Sequence, residues 1–170
     1  MFAGWDFAAA GLDRPDFAAN GYDHGVPMGG ELIQSPNGKR PAFMVHALRD
    51  PDGPNLDRIQ IIKGWLGKDS KAQERIFDVA VSGGRQIDAD GRCKTSMGST
   101  VDVPNASYTN TIGAPTLSAY WKDPTFEATQ LAFYYVRVIQ IPSPRWTAYD
   151  QKRYGIKMPD YVPMTVTDRA

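Results

Sequence analysis

Histidine and cysteine are scarce in these 170 residues: there are two histidines, His24 and His46, and one cysteine, Cys93. One thiol cannot form an intramolecular disulfide, and a cysteine-based zinc site would have only those two histidines to draw on. Cys93 lies in the polar segment Asp88-Ala-Asp-Gly-Arg-Cys-Lys-Thr95 and reads as an incidental loop thiol, which says nothing about redox compartment. The nucleophile-elbow pattern Gly-x-Ser-x-Gly does not occur, which argues against a hydrolase triad built on either histidine. Net charge is also missing: 19 Lys and Arg balance 19 Asp and Glu, so no surplus of either sign advertises a nucleic acid or a cationic partner. No apolar run approaches the ~20 residues of a membrane span. The N-terminal stretch MFAGWDFAAAG lacks the basic and apolar regions of a signal peptide and reads as a strand entered midway.

What is present is a chain with 42% hydrophobic residues, enough for one domain with a real core and not for two. Gly (16) and Pro (13) are spread along it, punctuating short apolar runs, which suits an all-β sandwich or barrel. The longest such run is Leu131 to Ile141, LAFYYVRVIQI, bounded by Asp123-Pro124 and by Pro142 and Pro144. Its aromatic and β-branched residues predict a strand. Tyr134, Val136 and Val138 would share the inner face, and Phe133, Tyr135, Arg137 and Ile139 the other. Because both faces are mostly apolar, the strand is expected at the centre of its sheet.

Other strands are predicted at Met1 to Phe7, Ala42 to Leu48, Leu56 to Leu66, Arg75 to Val81, Leu117 to Trp121 and, weakly, Ser99 to Val103. The second, third and fourth of these follow one another through short turns, so an antiparallel meander is the default. Asp13 to Ala19 predicts a helical turn, with Asp13 as N-cap and Asn20-Gly21 as its stop. Thr147-Ala-Tyr-Asp150 resembles a capping box opening a short helix to Tyr154, with Gly155 ending it and an extended tail after it. The fold expected is an immunoglobulin-like antiparallel β-sandwich over residues 1–170, with long loops and one short C-terminal helix, residues 145–170 forming the helix and tail.

Few residues suggest chemistry. Asp50, Asp52, Asn55 and Asp57 cluster around a glycine, as oxygen ligands for calcium would. Their spacing is not that of an EF-hand, and a strand-to-strand turn is the favoured reading. Gly25 to Gly30 is glycine-bearing without the strand and helix of a phosphate cradle, so it reads as a packing turn. Arg145, Trp146, Tyr149, Tyr154 and Tyr161 could stack on a sugar or base, but aromatics of this kind serve more often as interface anchors. Trp5, Arg145 and Trp146 are the interface candidates.

Several blocks carry a resemblance: Phe17-Ala-Ala-Asn-Gly-Tyr22, Gly25-Val-Pro-Met-Gly-Gly30, the run from Asp50 to Trp65, Tyr108-Thr-Asn-Thr-Ile-Gly-Ala114, and Ala132 to Trp146. In this order, and over essentially the whole chain, they resemble the family numbered 3604 among domains of unknown function. The resemblance implies longer proteins whose N-terminal part is similar to PHP-type (polymerase and histidinol phosphatase) metal-dependent hydrolases. Their Asp-Leu-His-x-His-type metal motif has no counterpart here, so the chain reads as a C-terminal portion. No catalytic, cofactor-binding or metal residue carries over, and any divalent metal would belong to the N-terminal domain. The expected function is that of a non-catalytic accessory domain packing on that catalytic domain in cis. The alternative is an independent module binding a carbohydrate or other small ligand. A homodimer of the chain, with Trp5 and Trp146 as anchors, and a periplasmic or secreted parent are further expectations.

Overall fold

The computed structural model describes residues 1–33 and 35–170. Two antiparallel sheets face each other. One has the order β2-β1-β3-β6, from Val26–Pro27, Phe2–Gly4, Ala42–Leu48 and Thr116–Lys122. The other has the order β5-β4-β7, from Ala72–Val81, Leu56–Leu66 and Ala132–Gln140. A small ribbon pairs β8 (Ser143–Pro144) with β9 (Thr165–Val166). Helices α1 (Phe17–His24) and α2 (Trp146–Tyr154) flank the sheets. This is a β-sandwich, as the sequence predicts, with two helices rather than one.

The inter-sheet core is built by alternation. Phe43 and Val45 on β3, Ile59 and Ile61 on β4 and Ala119 on β6 point between the sheets, joined by half-buried Leu117, Trp121, Tyr134 and Val136. Aromatic contacts show which strands lie opposite. The Phe43 and Tyr134 ring centroids are 4.7 Å apart, placing β3 over β7, and those of Phe77 and Trp121 are 4.8 Å apart, placing β5 under β6. A second, smaller core covers the other face of the four-stranded sheet. There Phe2, Phe7, Ala42 and Met44 pack with Leu12, Phe17 and Tyr120. Residues 42–45 of β3 are therefore buried on both faces, which is why they form an unbroken apolar run.

Four expectations are corrected. β3 and β4 do not form a hairpin, because the Asp50–Asn55 turn is an arch that carries the chain from one sheet to the other, and of β3, β4 and β5 only β4 and β5 pair with each other. β7 is an edge strand and β4 is central. The apolar outer face of β7 is exposed, with Phe133 63% accessible. Its ring is braced across the strand on Gly64, where a Cβ would lie only 2.5 Å from Phe133 Cε1. Ser99 to Val103 is not a strand; one isolated bridge joins Asp102 and Ser107. Helix α1 runs through Asn20-Gly21 instead of stopping there, and Asp16 rather than Asp13 stands at its N-cap. Gly21 is a packing glycine, since a Cβ there would sit 2.5 Å from the Phe2 ring.

Helix α2 ends at Gly155 in the left-handed conformation (φ 62°), as predicted. Its capping box does not form: Arg145 is the N-cap, and the Thr147 hydroxyl donates to Pro163 O at 2.6 Å. The tail then returns to β7. Val138 and Ala170 exchange backbone bonds of 2.7 and 3.0 Å, and Gln140 N donates to Asp168 O at 3.2 Å.

Candidate docking site at the open edge of the sandwich

Two carboxylates, Asp78 and Asp123, are buried, and each is held by several donors. Asp123 follows β6 and reaches between the sheets to Lys63, which shares the inward alternation of Ile59 and Ile61. Lys63 Nζ lies 2.7 Å from Asp123 Oδ2, with side chains 2% and 0% accessible. The same carboxylate accepts from Tyr134 Oη (2.6 Å), Thr125 N (2.7 Å) and Thr125 Oγ1 (2.8 Å), while Lys63 also donates to Thr125 O at 2.8 Å. Burial opposes ionisation of Asp123, but hydrogen bonds from Lys63, Tyr134 and Thr125 outweigh it and hold the carboxyl below its ordinary range. Burial, and then the Asp123 carboxylate, push the Tyr134 phenol well above its usual value.

The second carboxylate, Asp78, accepts from Gln60 Nε2 (2.8 Å), Arg58 NH1 (3.1 Å) and the Cys93 backbone N–H (2.7 Å). This ties the 82–115 excursion onto β5, and it makes Cys93, a loop thiol as expected, a buried residue of that junction. A carboxylate offers about four lone-pair sites. Asp123 accepts four hydrogen bonds and Asp78 three, all from groups of the fold, so both act as structural clamps.

The calcium candidates do not converge. Asp50 Oδ1 accepts from Asp52 N at 2.9 Å, a turn bond within the loop. Asn55 Nδ2 donates to Asn110 O and Ile112 O, pinning the 108–114 loop. Asp57 pairs with Arg58 and Arg85. Among the described residues no three His, Cys, Asp or Glu side chains are arranged to hold a metal. His46 Nε2 lies 2.7 Å from Leu12 O, with its ring edge-on to Phe17. Here it braces the helical layer.

A cleft of about 590 Å³ opens beside β7. Met1, Ala3 and Val26 from β1, β2 and their flanks line one side, Trp5 and Phe126 close one end, and Leu131, Phe133 and Tyr134 form the β7 side. Several apolar side chains of its lining are exposed: Leu131 is 93% accessible, and Ile33, Met28 and Phe133 are exposed with it, beside the polar Glu31, Ser35 and Gln130. Contiguous exposed apolar surface of this kind marks an interaction site more often than chance. Phe133 and Tyr135 add a stacked pair on the outer sheet face, their planes 12° apart with centroids 6.3 Å apart. Arg137 NH2 reaches Tyr135 Oη at 3.4 Å. Of the three predicted interface residues, Trp5 lines this cleft, packed edge-on against Phe126 at 5.9 Å. Arg145 and Trp146 do not. They open α2, where Arg145 N donates to Met164 O and Trp146 is 62% accessible.

The family described as Protein of unknown function (DUF3604) matches residues 1–170. The chain belongs to this family. No curated protein and no solved structure matches it. Among the described residues no helix is long and apolar enough to cross a membrane.

Sequence reading missed the Lys63–Asp123 clamp and the cleft. The clamp had a signal: Lys63 falls on the same alternation as Ile59 and Ile61, in a run otherwise apolar on that face. The cleft had none, because Met1, Val26, Phe126 and Leu131 meet only through the topology.

Proposed function

We propose that this β-sandwich is a non-catalytic accessory domain that docks, through the cleft and β7 edge, on a PHP-like metal-dependent hydrolase domain of the same polypeptide. The observation that carries this is the set of exposed apolar side chains Leu131, Phe133, Ile33 and Met28 lining the cleft. Side chains of this kind gain free energy by being covered, roughly 25 cal/mol per Å² of apolar area. The engagement of Asp78 and Asp123 with donors of the fold supports a role without catalysis. The choice of a hydrolase partner rests on the family resemblance alone. The strand order β1-β3-β6 over β5-β4-β7 supports an immunoglobulin-like reading, in which these are strands A-B-E over C′-C-F.

Hydroxyl-radical footprinting tests the docking. Leu131, Phe133, Ile33 and Met28 should label readily in the isolated chain and be shielded in the complete natural polypeptide. Equal labelling in both, or a natural polypeptide with no partner domain, contradicts the proposal.

The stacked Phe133–Tyr135 pair, flanked by Arg137, favours a second reading: a platform for the flat face of a sugar ring. Affinity electrophoresis against a panel of plant and bacterial polysaccharides tests it. Retardation lost in Tyr135→Ala would promote the reading, and free migration in all of them would dismiss it.

A further inference from the structure

The outer face of the three-stranded sheet is graded along β7 from aromatic to cationic. Phe133, Tyr135 and Arg137 share that face, opposite the inward Tyr134 and Val136. Phe133 is laid across β4, where a Cβ on Gly64 would collide with its Cζ, and the Tyr135 ring is within 12° of parallel to it. Ile62, between Tyr135 and Ile76, faces outward with them and is fully buried. Beyond the rings stands Arg137, half-buried, and among the described residues no carboxylate pairs with it, whereas Arg58 and Arg85 each have one. Its two side-chain contacts, with Gln60 Oε1 and Tyr135 Oη, are both 3.4 Å, long for hydrogen bonds. A guanidinium carries five N–H donors in a planar fork. Asp78, across Gln60 in the same row, is already held by Arg58, Gln60 and Cys93 N. At the aromatic end the face continues into a groove of about 510 Å³, lined by Leu66, Leu131, Phe133 and Glu74.

We infer that this face binds an acidic polysaccharide, a chain of uronate residues. The inference rests on the sugar-platform reading above and gives it a ligand class. One sugar ring stacks on Phe133 and Tyr135 through its C–H face. A uronate carboxylate meets Arg137, whose fork matches it in bidentate geometry. The neighbouring ring enters the groove, where Glu74, across from Gly64, accepts from its hydroxyls. Glu74 lies four residues along the strands from the Arg137 row, roughly 13 Å, so the two opposite charges set the direction of the chain. A neutral glycan would cover the guanidinium without compensating its charge, which costs free energy. A single-stranded nucleic acid needs a positive groove that tracks its backbone, and here Glu74 would stand against the phosphates. Tyr135, Arg137 and Glu74 do not line the cleft, so this site is distinct from the docking surface except where residues 131–133 border both.

The test is isothermal titration of the chain with hexamers of galacturonate, mannuronate and guluronate, and with the carboxyl-reduced form of each. At least one uronate hexamer should bind, and its reduced form should bind roughly ten-fold more weakly or worse. Arg137→Gln breaks only the two long contacts, so it should leave the melting temperature unchanged and abolish that preference. Arg137→Lys, which keeps the charge without the fork, should restore only part of it. In the wild-type chain, NMR shifts on titration should move at Phe133, Tyr135 and Arg137 and stay fixed at Ala3 and Val26 in the cleft. Binding to no uronate, a preference that survives Arg137→Gln, or shifts confined to the cleft would overturn the inference. Equal binding of hexaglutamate or oligothymidylate, which carry charge without a uronate ring, would overturn it too. The two readings fail separately. If acidic and reduced hexamers bind alike and both lose affinity in Tyr135→Ala, the platform stands and the acidic class falls. If neither form binds, or binding is indifferent to both Phe133→Ala and Tyr135→Ala, the platform reading falls and takes the inference with it.

Discussion

Asp123→Ala should be among the most destabilising single substitutions in the domain, and the reason can be worked from its contacts. The wild-type carboxylate holds Lys63, Tyr134 and both donors of Thr125. Removing it leaves an ammonium group with a 2% accessible side chain whose remaining close acceptor is Thr125 O, at 2.8 Å. Breaking a buried pair from one side costs about 3–5 kcal/mol. For a domain of this size that corresponds to a melting temperature lower by roughly 6–20 °C. Lys63→Met is the milder cut, because Asp123 keeps its Tyr134 and Thr125 donors and Met fills most of the lysine stem. Its expected cost is about 1–3 kcal/mol. The double variant should cost less than the sum of the two, because the stranded charge of Asp123→Ala is then absent.

Urea unfolding followed by tryptophan fluorescence measures all three. The pH dependence gives a second check. Asp123 titrates below its ordinary value when folded, so between the folded and unfolded values the unfolded state binds more protons. Its contribution is complete above the unfolded value, about 3.9, and disappears as pH falls through the folded one. Tyr134 has the opposite slope: its raised value contributes stability that is whole below about 10 and is lost as pH rises further. An Asp123→Ala protein within about 1 kcal/mol of wild type, with an unchanged urea slope, would refute the reasoning.

Three further outcomes are expected. Gly64→Ala should destabilise by about 1–3 kcal/mol by driving Phe133 off the sheet, and Phe133→Ala should relieve part of that cost, which a double-mutant cycle by chemical unfolding would show. Val136→Asp should unfold the domain by putting an unpaired charge against Ile61 and the inter-sheet core; a melting curve within a few degrees of wild type would mean the inner face of β7 is misplaced. Calcium should leave the melting temperature unchanged, since Asp50, Asn55 and Asp57 are turned to different partners, and a saturable rise abolished by Asp52→Ala would contradict that.

The strands were legible where composition and punctuation agreed. Ala42–Leu48 and Leu56–Leu66 match their predicted bounds, and the inner faces of β3, β4 and β6 follow from period-two alternation. Alternation reports which residues share a face but not which sheet receives them, so the β3–β4 arch read as a hairpin. Gly21 was misread because one letter serves two purposes, the left-handed stop of a helix and the close approach of an aromatic ring. Phe133 misplaced β7 for a similar reason. An aromatic braced over a cross-strand glycine can stay exposed, whereas aromatic residues on both faces of a run suggest burial. The candidate site was hidden for a different cause: its walls come from two distant stretches, Met1 to Phe43 and Phe126 to Tyr134, which only the completed topology brings together.

The place of β7 at the edge of its sheet, beside the cleft, is the point on which the account turns, and amide exchange of this 170-residue chain measures it directly. Val138 and Gln140 donate to Ala170 and Asp168, whereas Ala132, Tyr134 and Val136 face away from β4 and have no backbone partner among the described residues. Exchange should therefore be slow at Val138 and Gln140 and fast at Ala132, Tyr134 and Val136. Equal protection along all five amides would mean that the edge is already closed, and would contradict the account.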